Sequence, residues 1–186
     1  MYDVAVIGCG IVGAAAAYEL SRYNCRVLVL EAKNDVANVT TKANSAILHA
    51  GYDPTPGTLM AETNVRGVAL AKELCEKLDV EREEIGSLVL AFGEEDERHL
   101  EKLYQQGLAN GVPGIELLTA DEVHALEPNV SDKVTAALYA PTAAIVSPWE
   151  YALALAETAV VNGCELRLSA PVTGIDPRGI LRHAIL

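Results

Sequence analysis

The sequence predicts an α/β fold in which helices cover a parallel sheet. Three observations support this prediction. Half of the 186 residues are apolar (51%) and only 5% are aromatic, a balance that suits buried parallel strands. The first thirty residues form a strand, helix and strand pattern, and further helices and strands alternate downstream. The chain is long enough for one sizeable domain, or for one domain and part of another.

Hydrophobic periodicity predicts each element in turn. Residues 3–8 and 26–31 are expected to form strands on either side of a helix at 11–22, and residues 32–57 a long loop with one short helix. Capping patterns at Thr119 and Ser147 each predict the start of a helix. Helices are further expected at 58–78, 94–110 and 147–162, and strands at 86–92, 115–118, 136–139, 144–146, 165–168 and 171–175.

Composition excludes several classes of function. The formal charge of −12 repels nucleic-acid backbones and anionic lipid surfaces. No apolar run reaches the length of a membrane span and no signal peptide precedes the first strand, so we expect a cytoplasmic protein without a transmembrane segment. The four cysteines are far apart and lack a histidine at ligand spacing, so no metal site is predicted.

The turn between the first strand and the first helix carries the chemistry. Residues 8–13 match the G-x-G-x-x-G pattern: Gly8 permits a tight turn, Gly10 lets the backbone approach a pyrophosphate, and Gly13 allows close helix packing. The N-terminus of the following helix favours anions. Glu31 ends the second strand, where its carboxylate can accept hydrogen bonds from both ribose hydroxyls and would repel a 2′-phosphate.

We therefore predict a Rossmann-like FAD/NAD(P)-binding domain. The alternative is that the glycines form only a tight turn and that Glu31 is a surface residue. A plain NAD-dependent dehydrogenase would use the same turn but would leave the segment 40–51 unexplained.

Two segments together resemble the FAD-dependent oxidoreductases related to D-amino-acid oxidase. They are residues 8–31 and the sequence Thr-Thr-Lys-Ala-Asn-Ser-Ala-Ile-Leu-His-Ala-Gly at 40–51. Three further segments, 52–59, 126–129 and 140–148, resemble the branch that contains L-2-hydroxyglutarate oxidase and the FAD subunit of anaerobic glycerol-3-phosphate dehydrogenase. The resemblance implies a cofactor, FAD, and hydride transfer from a 2-hydroxy acid or glycerol 3-phosphate to the flavin. It also implies a possible partner that accepts the electrons.

The resemblance assigns roles to residues outside the glycine turn. It implies that Thr40, Thr41, Asn44 and Ser45 contact the pyrophosphate, ribityl chain or ring, and that the backbone of Val172 pairs with adenine. It places His49 beside the flavin ring as the candidate catalytic residue, although the residues alone equally allow a histidine in the core. The full set expected to bind the cofactor is Gly8, Gly10, Ile11, Val12, Gly13, Glu31, Ala32, Thr40, Thr41, Asn44, Ser45 and Val172.

The resemblance also implies a domain organisation. Residues 1–80 are expected to begin the FAD-binding domain, residues 81–147 to form a partial α+β substrate domain inserted in it, and residues 148–186 to return to the FAD-binding domain. The tail from Asp176 to Leu186 does not resemble the family's continuation. We therefore expect part of an FAD site and little of a substrate site, and a non-catalytic dinucleotide-binding fragment remains an alternative.

Overall fold

The computed structural model describes residues 1–176 and 181–183. Residues 177–180 and 184–186 of the tail lie outside the described residues. The strands are β1 (Val4–Ile7), β2 (Val27–Leu30), β3 (Ile47–Leu48), β4 (Arg82–Glu83), β5 (Ser87–Ala91), β6 (Glu116–Thr119), β7 (Ala136–Ala140), β8 (Ala144–Val146), β9 (Glu165–Arg167), β10 (Val172–Ile175) and β11 (Leu181–His183). The α-helices are α1 (Ile11–Leu20), α2 (Leu59–Leu78), α3 (Glu94–Asn110), α4 (Ala120–Leu126) and α5 (Pro148–Val161).

These elements confirm the predicted order of helices and strands. A 3₁₀ turn at Thr40–Lys42 is the short helix expected in the long loop, whereas β3, β4 and β11 were not predicted. Both predicted helix starts are present. Thr119 and Glu122 form a reciprocal capping box at α4, and the Ser147 hydroxyl accepts a hydrogen bond from the Glu150 amide at the start of α5.

The described chain divides into two compact units. Unit 1 comprises Met1–Ala46, Leu78–Val80 and the chain from Ser147 onward. Its parallel sheet has the order β1-β2-β9, and all four residues of β2 are buried. Helices α1 and α5 pack against each other through small buried side chains, among them Ala14, Ala17, Ala156 and Ala159. Small residues allow close packing, so α1 is held firmly beside the sheet.

Strand β1 lies at the edge of this sheet. Its pairing with β2 sets Ile7 opposite Leu30, yet the two side chains differ in environment. Leu30 packs against Ala170 and Val172, whereas Ile7 is 55% exposed. Ile7 of β1 is therefore much less buried than Leu30, its partner in β2.

Unit 2 comprises Ile47–Lys77 and Glu81–Val146 and has α+β architecture. It contains two antiparallel sheets, β3-β8-β4 and β5-β7-β6, and the helices α2, α3 and α4. Leu100 and Leu103 of α3 pack on Leu138 of β7 in the main hydrophobic cluster. Segregated helices over antiparallel sheets are typical of an α+β unit.

The boundary of unit 2 differs from the predicted division at residue 80. Residues 47–77, expected with the nucleotide-binding part, group with unit 2 because Ala50, Tyr52 and Val65 belong to its core cluster. Sequence periodicity identifies α2 but not the surface on which it packs. The roles of the two units as FAD-binding and substrate domains remain predictions.

Replacement by alanine should have opposite effects on stability at two glycines, Gly67 and Gly86. Gly67 lies within α2, and a Cβ added there would meet nothing within 4 Å. Alanine should therefore raise the free energy of unfolding by about 0.5–1 kcal/mol. Gly86 has a φ of +72°, and its Cβ would lie 2.7 Å from the Tyr139 ring.

Gly86→Ala should lower the free energy of unfolding by more than about 1 kcal/mol, because it adds both backbone strain and a steric clash. Urea unfolding followed by circular dichroism measures both variants. Equal effects of the two substitutions would contradict the packing described here.

Candidate functional site

The glycine turn joins β1 to α1 through a backbone that needs glycine at two positions. Gly8 has a φ of +90°, in the left-handed region that favours glycine. A Cβ at Gly13 would lie 2.0 Å from the carbonyl oxygen of Gly8, so any side chain there would force the turn apart. The turn therefore holds the first amides of α1 at the surface, where their N–H groups have no acceptor within the helix.

Glu31 ties this turn to the end of β2. Its Oε2 accepts a hydrogen bond from the Cys9 amide at 2.7 Å, and its Oε1 accepts one from the Lys33 amide at 2.8 Å. The residue is only 8% exposed. A buried carboxylate with two amide donors keeps lone pairs available for further donors. Glu31 is thus a component of the turn, and the alternative of a simple surface residue is wrong.

Thr41 closes the N-terminus of α1 from the loop that follows β2. Its Oγ1 accepts a hydrogen bond from the Ile11 amide at 3.0 Å. A Cβ at Gly10 would stand 3.0 Å from the same oxygen, so the absence of a side chain at Gly10 lets Thr41 approach. The Gly10 residue itself offers no side-chain cap to α1. Thr41 therefore supplies the cap from thirty positions downstream.

The other predicted residues of the loop lie beside Thr41. Asn44 donates from Nδ2 to the Thr41 carbonyl at 2.7 Å and accepts at Oδ1 from the Ala46 amide at 2.8 Å. Its amide therefore shapes the loop. Thr40, Asn44 and Ser45 are exposed, as are Ala32 and Val12. These side chains are accessible on the surface of unit 1.

Residues 169–172, which follow β9, lie next to Glu31 and the residues after it. The Ala170 amide donates to the Glu31 carbonyl at 2.8 Å, and the Ser169 amide donates to the Lys33 carbonyl at 2.7 Å. Val172 packs against the cluster of Leu28, Leu30 and Ala170. The fold therefore brings Val172 to the same end of β2 as Glu31, which the sequence pattern alone did not require.

Cys9 occupies the variable position between the first two glycines. The thiol is 1% exposed, and burial raises its pKa to about 11, with a smaller contribution from the Glu31 carboxylate. The thiol is therefore neutral at physiological pH and adds no charge to the turn. Cys9 contributes its backbone to the site.

His49 belongs to unit 2, unlike the other predicted site residues. It follows β3, and its side chain is exposed. The alternative that His49 is a core histidine is therefore wrong. The role beside the flavin remains a prediction.

Sequence reasoning missed one backbone contact of the turn. The Ala37 amide donates to the Cys9 carbonyl at 2.9 Å, and Ala37 has a φ of +55°, which is unusual for a residue other than glycine. No sequence signal marks such a position. Within residues 1–176, no group of three metal-ligating side chains lies together, and no helix is long and apolar enough to cross a membrane.

A family model described as FAD dependent oxidoreductase (DAO) matches residues 3–184. A glycerol 3-phosphate dehydrogenase of Caloramator mitchellensis is 50% identical over 178 residues, which are 96% of this chain and 37% of that protein. A glycerol 3-phosphate oxidase of Mycoplasma pneumoniae is 34% identical over 94% of this chain and 46% of its own length. An L-2-hydroxyglutarate dehydrogenase of Dictyostelium discoideum is 34% identical over 78% of this chain and 33% of its own length. The chain therefore spans less than half the length of these relatives.

Solved structures of other proteins are also similar to this chain. The L-alpha-glycerophosphate oxidase of Mycoplasma pneumoniae with FAD bound superposes with a TM-score of 0.89 at 31% identity, covering 98% of this chain and 49% of that one. A glycine oxidase of Geobacillus kaustophilus superposes with a TM-score of 0.85 at 29% identity, covering 94% of this chain and 48% of that one. The Rossmann-like α/β fold class is thereby confirmed.

The Thr41 cap predicts a difference between two adjacent threonines. Thr41→Val keeps the shape of the side chain but removes the acceptor of the Ile11 amide, so the free energy of unfolding should fall by about 0.5–2 kcal/mol. Thr40→Val, at the exposed neighbour, should change it by less than about 0.5 kcal/mol. Urea unfolding measures both, and Thr41→Ser should restore the wild-type value. Equal losses in the two valine variants would show that the cap is not what stabilises α1.

Proposed function

The chain belongs to the DAO family of FAD-dependent oxidoreductases, and on this basis we propose that it binds FAD and oxidises glycerol 3-phosphate or a 2-hydroxy acid. The observation that carries the proposal is the glycine turn closed by Glu31 and Thr41. Its relatives are glycerol 3-phosphate dehydrogenases and oxidases and L-2-hydroxyglutarate dehydrogenases. The chain spans less than half of their length, so its activity and its substrate are proposals that start from these relatives.

The residues of unit 1 fit an adenine dinucleotide. The amides of Val12 and Gly13 in the first turn of α1 are proposed to donate to the pyrophosphate, and the positive end of the helix dipole favours its charge. Gly8 and Gly10 have no side chain that could obstruct the approach, and Ile11 is proposed to contribute through its backbone. The carboxylate of Glu31 can accept from the ribose hydroxyls while it keeps its bonds to the Cys9 and Lys33 amides.

Residues of the loop at 40–45 and of the segment at 169–172 complete the proposed cofactor site. The hydroxyls of Thr40, Thr41 and Ser45 and the amide of Asn44 can hydrogen-bond phosphate or flavin oxygens. Ala32 follows Glu31 at the surface, and the backbone of Val172 is proposed to meet the adenine. The negative charge of Glu31 would oppose a 2′-phosphate, which favours FAD over a phosphorylated dinucleotide.

His49 is the candidate catalytic residue. When bound, the flavin supplies the hydride acceptor for oxidation of the substrate C–H bond. The exposed imidazole of His49 can hydrogen-bond a substrate hydroxyl and accept its proton, or steer an anionic substrate. We further infer a cytoplasmic location and an electron-accepting partner such as a quinone.

A second candidate is a non-catalytic dinucleotide-binding module. This candidate requires only the cofactor-binding residues of unit 1 and gives His49 no role. The two candidates agree on cofactor binding and differ on turnover. A plain NAD-dependent dehydrogenase would bind a colourless cofactor instead.

Cofactor binding is tested by the visible spectrum of the purified chain. We expect bound oxidised flavin in the wild type, and we expect Gly10→Val to weaken FAD binding by more than about 100-fold, which corresponds to about 2.8 kcal/mol. The reason is that the new side chain would press on Thr41 Oγ1 and the start of α1. Gly174→Ala is the control, since a Cβ there would meet nothing within 4 Å. A colourless wild type that binds NAD would contradict the FAD assignment.

Turnover is tested by anaerobic mixing of the FAD-loaded chain with sn-glycerol 3-phosphate or L-2-hydroxyglutarate. Bleaching of the flavin band measures the rate of reduction. His49→Ala should slow it by about 100-fold or more, because general acid–base groups contribute about 10²–10⁴-fold. His99→Ala, at an exposed histidine of α3, should leave the rate unchanged. A wild type that binds FAD but is not reduced by either compound would favour the non-catalytic module.

A further inference from the structure

Two side-chain amides of α3 hold the segment that follows His49. Nδ2 of Asn110 donates to the carbonyl oxygens of Gly51 at 2.9 Å and Pro54 at 2.8 Å. Nε2 of Gln106 donates to those of Tyr52 at 3.3 Å and Asp53 at 3.2 Å. Four successive carbonyls thus accept hydrogen bonds from two NH₂ groups, each of which has two protons to donate. We call Gln106 and Asn110 the amide clamp.

The geometry of α3 allows the clamp to reach the segment. Gln106 and Asn110 are four residues apart, so they lie on one face of the helix. Between them, a Cβ at Gly107 would lie 3.1 Å from Tyr52 Cβ and 2.4 Å from Ile115 Cδ1. The glycine therefore lets the helix backbone come close to the segment, and the two amides reach its carbonyls from either side of that contact.

The backbone before His49 is fixed as well. Ile47 and Leu48 form β3, which pairs with Ile145 and Ala144 of β8. After His49, Ala50 is 1% exposed in the main core cluster. Gly51 has a φ of +108°, and a Cβ there would lie 2.6 Å from Val65 Cγ2. The exposed His49 imidazole is thus carried by backbone that is held on both sides.

We propose that Gln106 and Asn110 are positioning residues for His49, an inference that rests on the proposed function of this histidine. They act on it through the backbone of residues 50–54, without touching the imidazole. Catalytic groups need supporting contacts that hold their geometry to within about 0.5 Å, and a displacement of about 1 Å costs about 100-fold in rate. The clamp supplies such support from a rigid helix.

A purely structural role makes a different prediction. If the amides only satisfy the carbonyls of an otherwise independent loop, their removal loosens residues 51–54 and leaves His49 unchanged. If they position His49, the loss of order extends to its backbone and ring. The comparison therefore needs a measurement at His49 itself.

Nitrogen-15 relaxation of the purified full chain provides that measurement. In Asn110→Ala, we expect the order parameter of the His49 amide to fall from about 0.85 to about 0.6 or below, with increased motion of the imidazole. Gln106→Ala, which removes the longer pair of hydrogen bonds, should have a smaller effect in the same direction. It also provides a second test if Asn110→Ala does not fold.

The chain offers a matched control for the clamp. Gln105 is next to Gln106 on α3, and its Nε2 donates to Glu101 Oε1 at 2.9 Å within the same helix. Gln105→Ala should leave His49 unchanged, and His99 and His124 serve as references elsewhere in unit 2. Unchanged order at His49 in a folded Asn110→Ala or Gln106→Ala variant would overturn the proposal.

A functional measurement separates this proposal from the one on which it rests. In the FAD-loaded chain, Asn110→Ala should slow flavin reduction by glycerol 3-phosphate about 10- to 100-fold while FAD affinity stays at the wild-type value. A wild-type chain whose flavin is not reduced contradicts the proposed activity, and the relaxation measurement still decides the positioning role. If His49 is disordered in Asn110→Ala but the rate is unchanged, the catalytic role of His49 is contradicted, while its positioning by Asn110 is supported.

Discussion

The hydrogen bond from the Cys9 amide to the Glu31 carboxylate is the contact on which the candidate cofactor site depends. Glu31 joins three segments, because its side chain holds the glycine turn while its backbone pairs with Arg167 and Ala170. A carboxylate that is 8% exposed is tolerated because charge-assisted bonds to amides offset its desolvation. The residue proposed to bind the ribose therefore also fixes the position of the glycine turn.

The two units secure their surface loops by different means. In unit 1 a single hydroxyl, that of Thr41, caps α1, and backbone bonds from Ala37 and Ala170 are among the other contacts that hold the loops. In unit 2 the side-chain amides of Gln106 and Asn110 hold four carbonyls. Both arrangements join residues that are far apart in sequence. Such contacts form only after the chain between them has been ordered, which links the integrity of each site to the folding of its whole unit.

Local sequence signals predicted the elements and the glycine turn well. The glycines at 8, 10 and 13 and the cap at Thr119 are recognisable because their requirements lie within a few residues. The cap on Ile11 could not be assigned to Thr41 rather than Thr40, since only the folded loop decides which hydroxyl faces α1. The grouping of residues 47–77 with unit 2 and the clamp by Asn110 were likewise beyond the sequence, because they depend on which surfaces meet. The exposure of His49 also needed the structure, since its apolar neighbours equally suited a core position.

The edge of β1 that the described residues leave unpaired has a consequence for what can join this sheet. An edge strand presents backbone donors and acceptors that another strand can pair with, and here the exposed Ile7 side chain adds apolar surface beside them. Natural proteins protect such edges with charged side chains, prolines or bulges, but β1 consists of Val-Ala-Val-Ile alone. Within the described residues this edge is therefore free to pair with a further strand, whether the same polypeptide or another one supplies it.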